Sequence, residues 1–261
     1  MFNCVYHGWT YNKNGVLISG PQIKEAFSEK KIKNKKLLRM KIEFCGNFIF
    51  VSDFTNKQKL KNYLSKHFVE IKELSTKFGR LVSSKRYIWK CNWRVAIENS
   101  IDEYHGPILH KTTFKKILDL NPEYSYSSHV SEMNMPLQEN YINSFLKMVS
   151  KTNLLMSKKY KHYFIFPIST IATTMDLFCY LQRYIPIDDN NSIIETDIFI
   201  PKIFTKNQNK TNFIIDSAKK FNEEIFNEDK EICESIHQNL QNGNKYSNIG
   251  KFEQRINFFR K

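Results

Sequence analysis

Apolar residues recur at every fourth position in Trp93, Ile97 and Ile101, which predicts one buried stripe of a helix. A second stripe, Phe221, Ile225, Ile232, Ile236 and Leu240, predicts a long helix over residues 213–242. Between these two stretches the period changes. Residues 163–167 and 168–175 are rich in β-branched and aromatic side chains and predict strands. Residues 177–186 and 192–201 predict two more, with Asp188-Asp-Asn-Asn191 as the turn between them. The region reads as an antiparallel meander able to floor a pocket. Residues 57–74 carry many charges on a looser helical period and predict a connecting helix with a solvated face. Residues 111–160 are polar and aromatic, with helical patches such as 142–149; Met148 and Met156 in this stretch are read as core packing.

The N-terminal 55 residues alternate short apolar runs with turns. Asn12-Lys-Asn-Gly15 is a turn signal, and Val16-Leu-Ile18 follows as a short strand. Residues 41–44 and 48–51 predict a hairpin around Cys45-Gly-Asn47.

At 261 residues the chain suffices for one large domain, or for one and a half smaller ones. Lys and Arg outnumber Asp and Glu by 40 to 26, a formal net charge of +14. Apart from a knot at residues 30–36 the excess is spread along the chain, beside abundant Asn and Ile. It draws no phosphate-binding track, so nucleic acid is not expected as a partner. Such a charge suits docking of an acidic electron carrier. Five cysteines, at 4, 45, 91, 179 and 233, are odd in number, widely spaced and without a C-x-x-C pair. They predict no disulfide framework and a reducing, cytoplasmic setting. No apolar run approaches the length of a membrane span, and Met-Phe-Asn-Cys does not read as a signal peptide.

The candidate chemistry lies at residues 91–114. Asp102 and His105 are three apart and share a helix face. Pro107 lacks an N–H, which predicts that regular helix ends or bends near Gly106. His110 lies five residues beyond His105, roughly 140° around an unbroken helix and too far for both rings to grip one ion. A bend or π-type turn at Gly106-Pro107 is therefore expected to return His110 to the same side. Two neutral imidazoles and one carboxylate on one face of a metal make a non-haem Fe(II) oxygenase site. His129 and His162 have no histidine or carboxylate at helical spacing and are read as structural.

The run Asn92-Trp93-Arg94, Glu98-Asn99, Asp102-Glu103-Tyr104-His105 and His110 resembles the catalytic segment of Rieske-type non-haem iron ring-hydroxylating oxygenase alpha subunits. Cys4-Val-Tyr-His7-Gly-Trp-Thr-Tyr resembles the second half of the Rieske [2Fe–2S] motif, where two Cys hold one iron and two His the other. Cys4 and His7 supply one ligand to each iron. The motif's first C-x-H pair is absent from the sequence, so a true start upstream of Met1 is expected. Glu228-Asp-Lys-Glu-Ile-Cys-Glu-Ser-Ile-His-Gln238 resembles the family segment that brings the third iron ligand, which maps to Asp229 with Glu228 as the alternative. Glu253-Gln-Arg-Ile-Asn-Phe-Phe259 resembles the family's terminal segment.

The resemblance implies an α+β chain. A partial all-β Rieske domain over 1–55 precedes an antiparallel-sheet helix-grip catalytic domain, Bet v1/START-like, over 56–261. It implies a mononuclear Fe(II) on His105, His110 and Asp229, and a [2Fe–2S] cluster for which half the ligands are present. Asp102 would fix the tautomer of His105 and bridge to a Rieske histidine of a neighbouring subunit. Asn99 and Tyr104 would support the site. The implied activity is O2- and NAD(P)H-dependent hydroxylation, demethylation or dihydroxylation of a small organic substrate, closer to the monooxygenase-like branches. A flavin reductase, at times with a ferredoxin, would supply electrons to a homotrimer. An inactive remnant or ligand-binding protein of the same fold is the alternative.

Overall fold

In the computed structural model, residues 1–119, 121–148, 157–201, 208–243 and 249–261 are described, and the chain divides into two units at Leu60. In Met1–Leu60, strands β1 (Phe2–Asn3), β2 (Thr10–Tyr11) and β3 (Leu17–Ser19) form a small antiparallel sheet. The turn before β3 places Gly15 at φ +76°, a conformation that side chains with a Cβ resist. Single-turn helices α1 (Ile23–Ala26) and α2 (Glu29–Ile32) follow, then a hairpin of β4 (Met40–Cys45) and β5 (Phe48–Asp53).

The second unit opens on helices and then builds one large sheet. Its elements are α3 (Leu60–Leu64), a 3-10 turn at Ser65–His67, α4 (Phe68–Lys77), β6 (Arg80–Trp89), α5 (Trp93–Ser100), α6 (Gly106–Leu109), α7 (Phe114–Ile117), β7 (Glu123–Tyr126), β8 (Val130–Pro136) and α8 (Glu139–Met148). They continue with β9 (Lys159–Ile165), β10 (Ser169–Thr174), β11 (Phe178–Pro186), β12 (Ser192–Ile200), the 34-residue α9 (Gln208–Gln241) and α10 (Gln254–Arg260). Strand order is β6-β12-β11-β10-β9-β8-β7, antiparallel throughout.

The pleat sends alternate residues to opposite faces, and register carries each face across the sheet. One face holds Trp89, Ile194, Tyr184, Gln182, Tyr180, Ala172, His162, Tyr160 and Met133. Buried apolar residues of α9, including Ile214, Ile215, Ala218 and Phe226, belong to the cores built on that face. Helix α4 serves the other face. There Lys161 Nζ donates to Glu70 Oε1 at 2.6 Å, and the buried His67 ring lies between Ser125, Ser127 and Glu132. Among the described residues no helix is long and apolar enough to cross a membrane.

The predicted strands appear within a residue or two of their expected bounds, except that the first begins at Lys159. Strands β6, β7 and β8 are not among the predicted strands; β8 is buried on both faces and so lacks the period-2 alternation. Helix α9 begins five residues earlier than its apolar stripe suggested. The helix expected to run to Gly106 ends at Ser100 instead. Asp102 Oδ1 accepts the N–H of Tyr104 at 2.8 Å, a local turn that competes with helical hydrogen bonding. Pro107 stands in the first turn of α6, where its missing N–H would have no helical partner anyway. Met156 and Val149 lie outside the described residues, as does the side chain of Met148.

Candidate metal centre

The helix break places the two histidines. Helix α5 starts on Asn92, whose side chain accepts the N–H of Arg94, and buries Val95, Ala96 and Ile97 in the core. The non-helical link at residues 101–105 and the short α6 then carry His105 and His110 around to meet α9. Their rings stand edge to face with centroids 5.2 Å apart, and the Nε2 atoms are 3.3 Å apart. Asp229 of α9 brings Oδ1 to 3.1 Å from His110 Nε2 and 3.6 Å from His105 Nε2.

Three ligand-type atoms thus converge. Atoms each about 2.1 Å from one ion and at right angles to each other lie roughly 3.0 Å apart, which is close to these separations. Asp229 Oδ1 is buried and accepts no hydrogen bond, although both rings are close. With both rings neutral, such an orphaned carboxylate oxygen is costly unless a cation occupies the centre. The donor set therefore fits a metal. Among the described residues this is the only trio of His, Cys, Asp or Glu side chains gathered so closely.

Each imidazole is held from behind. His105 Nδ1 lies 3.1 Å from Asp102 Oδ2, and His110 Nδ1 lies 2.7 Å from Glu228 Oε2. A carboxylate can only accept, so each Nδ1 carries a proton, and in the neutral form of each ring Nε2 turns its lone pair to the centre. Burial opposes charge on His105, but Asp102 and Asp229 outweigh it and lift the imidazole to about 9 without metal. His110 is raised as well, against its burial. For Asp229 the two histidines likewise overcome burial and hold the carboxyl at about 2.

Of the two acids at the turn of α9, Asp229 faces the centre, while Glu228 bonds the outer nitrogen of His110. Asn99 is buried and lines the adjacent cavity. Tyr104 does not reach it: the link turns this ring outward, 58% exposed and stacked on Phe252. Cys4 and His7 lie in the first unit, in a turn where Gly8 N donates to the Cys4 carbonyl, and both are exposed. Among the described residues neither belongs to a gathered trio of ligand-type side chains.

The sequence reading missed Arg255. It is 0% exposed, and its guanidinium bonds Glu103, Ser131 Oγ, the Ser131 and His162 carbonyls and His162 Nδ1. Its signal was an arginine set between Glu253 and Ile256 in an amphipathic terminal helix, too common a pattern to single out.

Residues 78–261 match the family model described as ring hydroxylating alpha subunit, catalytic domain. A chloroplastic choline monooxygenase of Beta vulgaris is 23% identical over 253 residues, covering 92% of this chain and 52% of that protein. The crystal structure of a quaternary ammonium Rieske monooxygenase superposes with a TM-score of 0.72 at 15% identity, over 99% of this chain and 69% of that one. A naphthalene 1,2-dioxygenase with indole bound gives 0.61 at 19% identity, over 94% and 62%. The chain spans about half or less of the length of the curated relatives it matches.

Proposed function

Because this chain belongs to the ring hydroxylating alpha subunit family, we propose that it is the catalytic part of an O2-dependent oxygenase with one Fe(II) on His105, His110 and Asp229. One observation carries the reading: three ligand atoms lie within 3.6 Å of one another, each imidazole fixed by its own carboxylate. When bound, the iron would supply the activation of O2 for hydroxylation or demethylation of a small organic substrate.

The chain's own residues supply the rest. Asp102 and Glu228 hold one proton of each ring on Nδ1, so that the neutral form presents Nε2, correctly aimed, to a metal. Phe114, Leu118, Met133 and Phe226 line the cavity beside the centre and exclude water from it. Asp102, 18% exposed at its side chain and 3.1 Å from His105 Nδ1, would be the bridge for incoming electrons. Cys4 and His7 would supply one ligand to each iron of a Rieske [2Fe–2S] centre whose other C-x-H pair is not in this sequence; NAD(P)H through a flavin reductase, at times with a ferredoxin, would be the electron source, and a trimer the working assembly. The likeness to choline and quaternary ammonium monooxygenases favours monooxygenation.

The test is anaerobic titration with Fe(II), which should saturate at one ion per chain. At neutral pH the metal-free His105 is protonated, since its pKa stands near 9, whereas a ligand must be neutral. Uptake should therefore release about one proton, and affinity should rise with pH until about 9. Calorimetry in buffers of different ionisation enthalpy measures that proton. Uptake with no proton release and no pH dependence would argue against a ligand role for His105.

A further inference from the structure

Arg255 decides the state of a second histidine. A guanidinium has donors only, and Arg255 Nη2 lies 3.0 Å from His162 Nδ1, so Nδ1 is the acceptor. Burial, reinforced by the charge of Arg255, presses the His162 pKa well below its ordinary value. The ring is neutral, and its single proton sits on Nε2. Among the described residues that N–H has no hydrogen-bond partner, and His162 lines the cavity beside the metal centre.

Gln182 repeats the pattern two strands away. Its Oε1 accepts from Thr170 Oγ1 at 2.7 Å and from the Tyr184 hydroxyl at 3.2 Å. The amide NH2 is left without a partner among the described residues, and Gln182 lines the same cavity. Register confirms a shared face: His162 stands opposite Ala172 and Gln182 opposite Thr170, two residues apart on β10. Between them Ala172 adds only a methyl group, which leaves room for a ligand.

We infer that His162 Nε2–H and the Gln182 amide are the specificity determinants of this cavity, and that they hold an uncharged carbonyl oxygen of a small, otherwise apolar substrate. The inference rests on the cavity being the substrate site of the proposed oxygenase. The cavity, about 100 Å3, admits no more than a small ring or short chain. At these two donors a cationic group would meet the positive ends of N–H dipoles, with Arg255 behind one of them. An anion would meet the carboxylates of Asp102 and Asp229 on the same lining. A ligand that displaces water from these two donors without offering an acceptor leaves them unpaired, so the site discriminates against a molecule that lacks the acceptor.

The experiment uses cyclopentanone and its shape-matched alkene, methylenecyclopentane, with isobutyrate as the anionic arm. Binding is measured by calorimetry on the full chain supplied with Fe(II) under anaerobic conditions. Cyclopentanone should bind about tenfold more tightly than the alkene, and isobutyrate more weakly than cyclopentanone. Gln182→Leu should reduce the ketone-to-alkene ratio by about fivefold with Fe(II) stoichiometry unchanged. In the Zn(II)-loaded chain, the nitrogen resonances of His162 should show a protonated Nε2 that shifts with the ketone and not with the alkene. Equal affinities, tighter binding of the alkene or of isobutyrate, or binding of none of the three overturns the inference. If the chain takes one Fe(II) yet shows no preference, this inference fails and the metal reading stands. If the preference is present but no Fe(II) binds, the metal reading fails alone.

Discussion

Asp229→Ala is expected to lower Fe(II) affinity by more than about a hundredfold while the chain stays folded. Residues that only support a ligand typically contribute about 10- to 100-fold, so loss of a ligand should exceed that range. Asp229 Oδ1 is the only carboxylate oxygen of the trio, and it offsets part of the metal's charge in a buried setting. Without it the two imidazoles remain, still aimed by Asp102 and Glu228. Two neutral nitrogens, without an anionic ligand, hold a divalent ion less tightly. Glu228→Gln tests the division of labour between the two acids: it should cost about 10- to 100-fold, because His110 loses its tautomer lock but no ligand is lost. Equilibrium dialysis with iron analysis reads both variants. Glu228→Gln proving as severe as Asp229→Ala, or Asp229→Ala retaining wild-type affinity, would reassign the ligands.

Arg255→Met should be the most destabilising single change outside the metal centre, by about 3–5 kcal/mol. It strips Glu103 of its ion-pair partner and leaves the carbonyls of Ser131 and His162 without the donor they share. Glu103 already pays for burial with a raised pKa, against the pull of Arg255, and would have no compensation left. For a unit of this size the midpoint should fall by roughly 10 °C. Adding Glu103→Leu should restore part of the loss, since an apolar pair removes the uncompensated charge. Thermal melting by circular dichroism decides it: a single variant that melts within a degree or two of wild type, or a double variant no better than the single, would remove the ion pair from its structural role. Arg255→Met should also free the tautomer of His162, so its nitrogen resonances provide a readout independent of stability.

Much of this protein could be read along the chain because the signals are local. Alternation between residues 177 and 200 reflects a pleat, and that pleat needs only the next residue to define it. The stripe of α9 follows from the helical period in the same way. The candidate ligand set was legible for a related reason: His105 and His110 lie five residues apart on one short stretch, and Asp229 stood out through resemblance to a family segment. Spacing alone also showed that an unbroken helix could not bring the two rings together.

What remained was decided by contacts between distant segments. How the chain breaks its helix depended on the carboxylate of Asp102 taking the Tyr104 N–H in place of a helical bond. The choice between Glu228 and Asp229 depended on how α9 is rotated, since adjacent helical residues point about 100° apart and only packing fixes which one faces inward. Arg255 lies 152 residues from Glu103, and no local pattern announces that pairing. The roles of His162 and Gln182 arise from strand register, which sets both side chains on one face and lets Arg255, Thr170 and Tyr184 determine which of their atoms remain free. Periodicity can assign a residue to a face, but the protonation and partners of its side chain belong to whatever the fold brings against it.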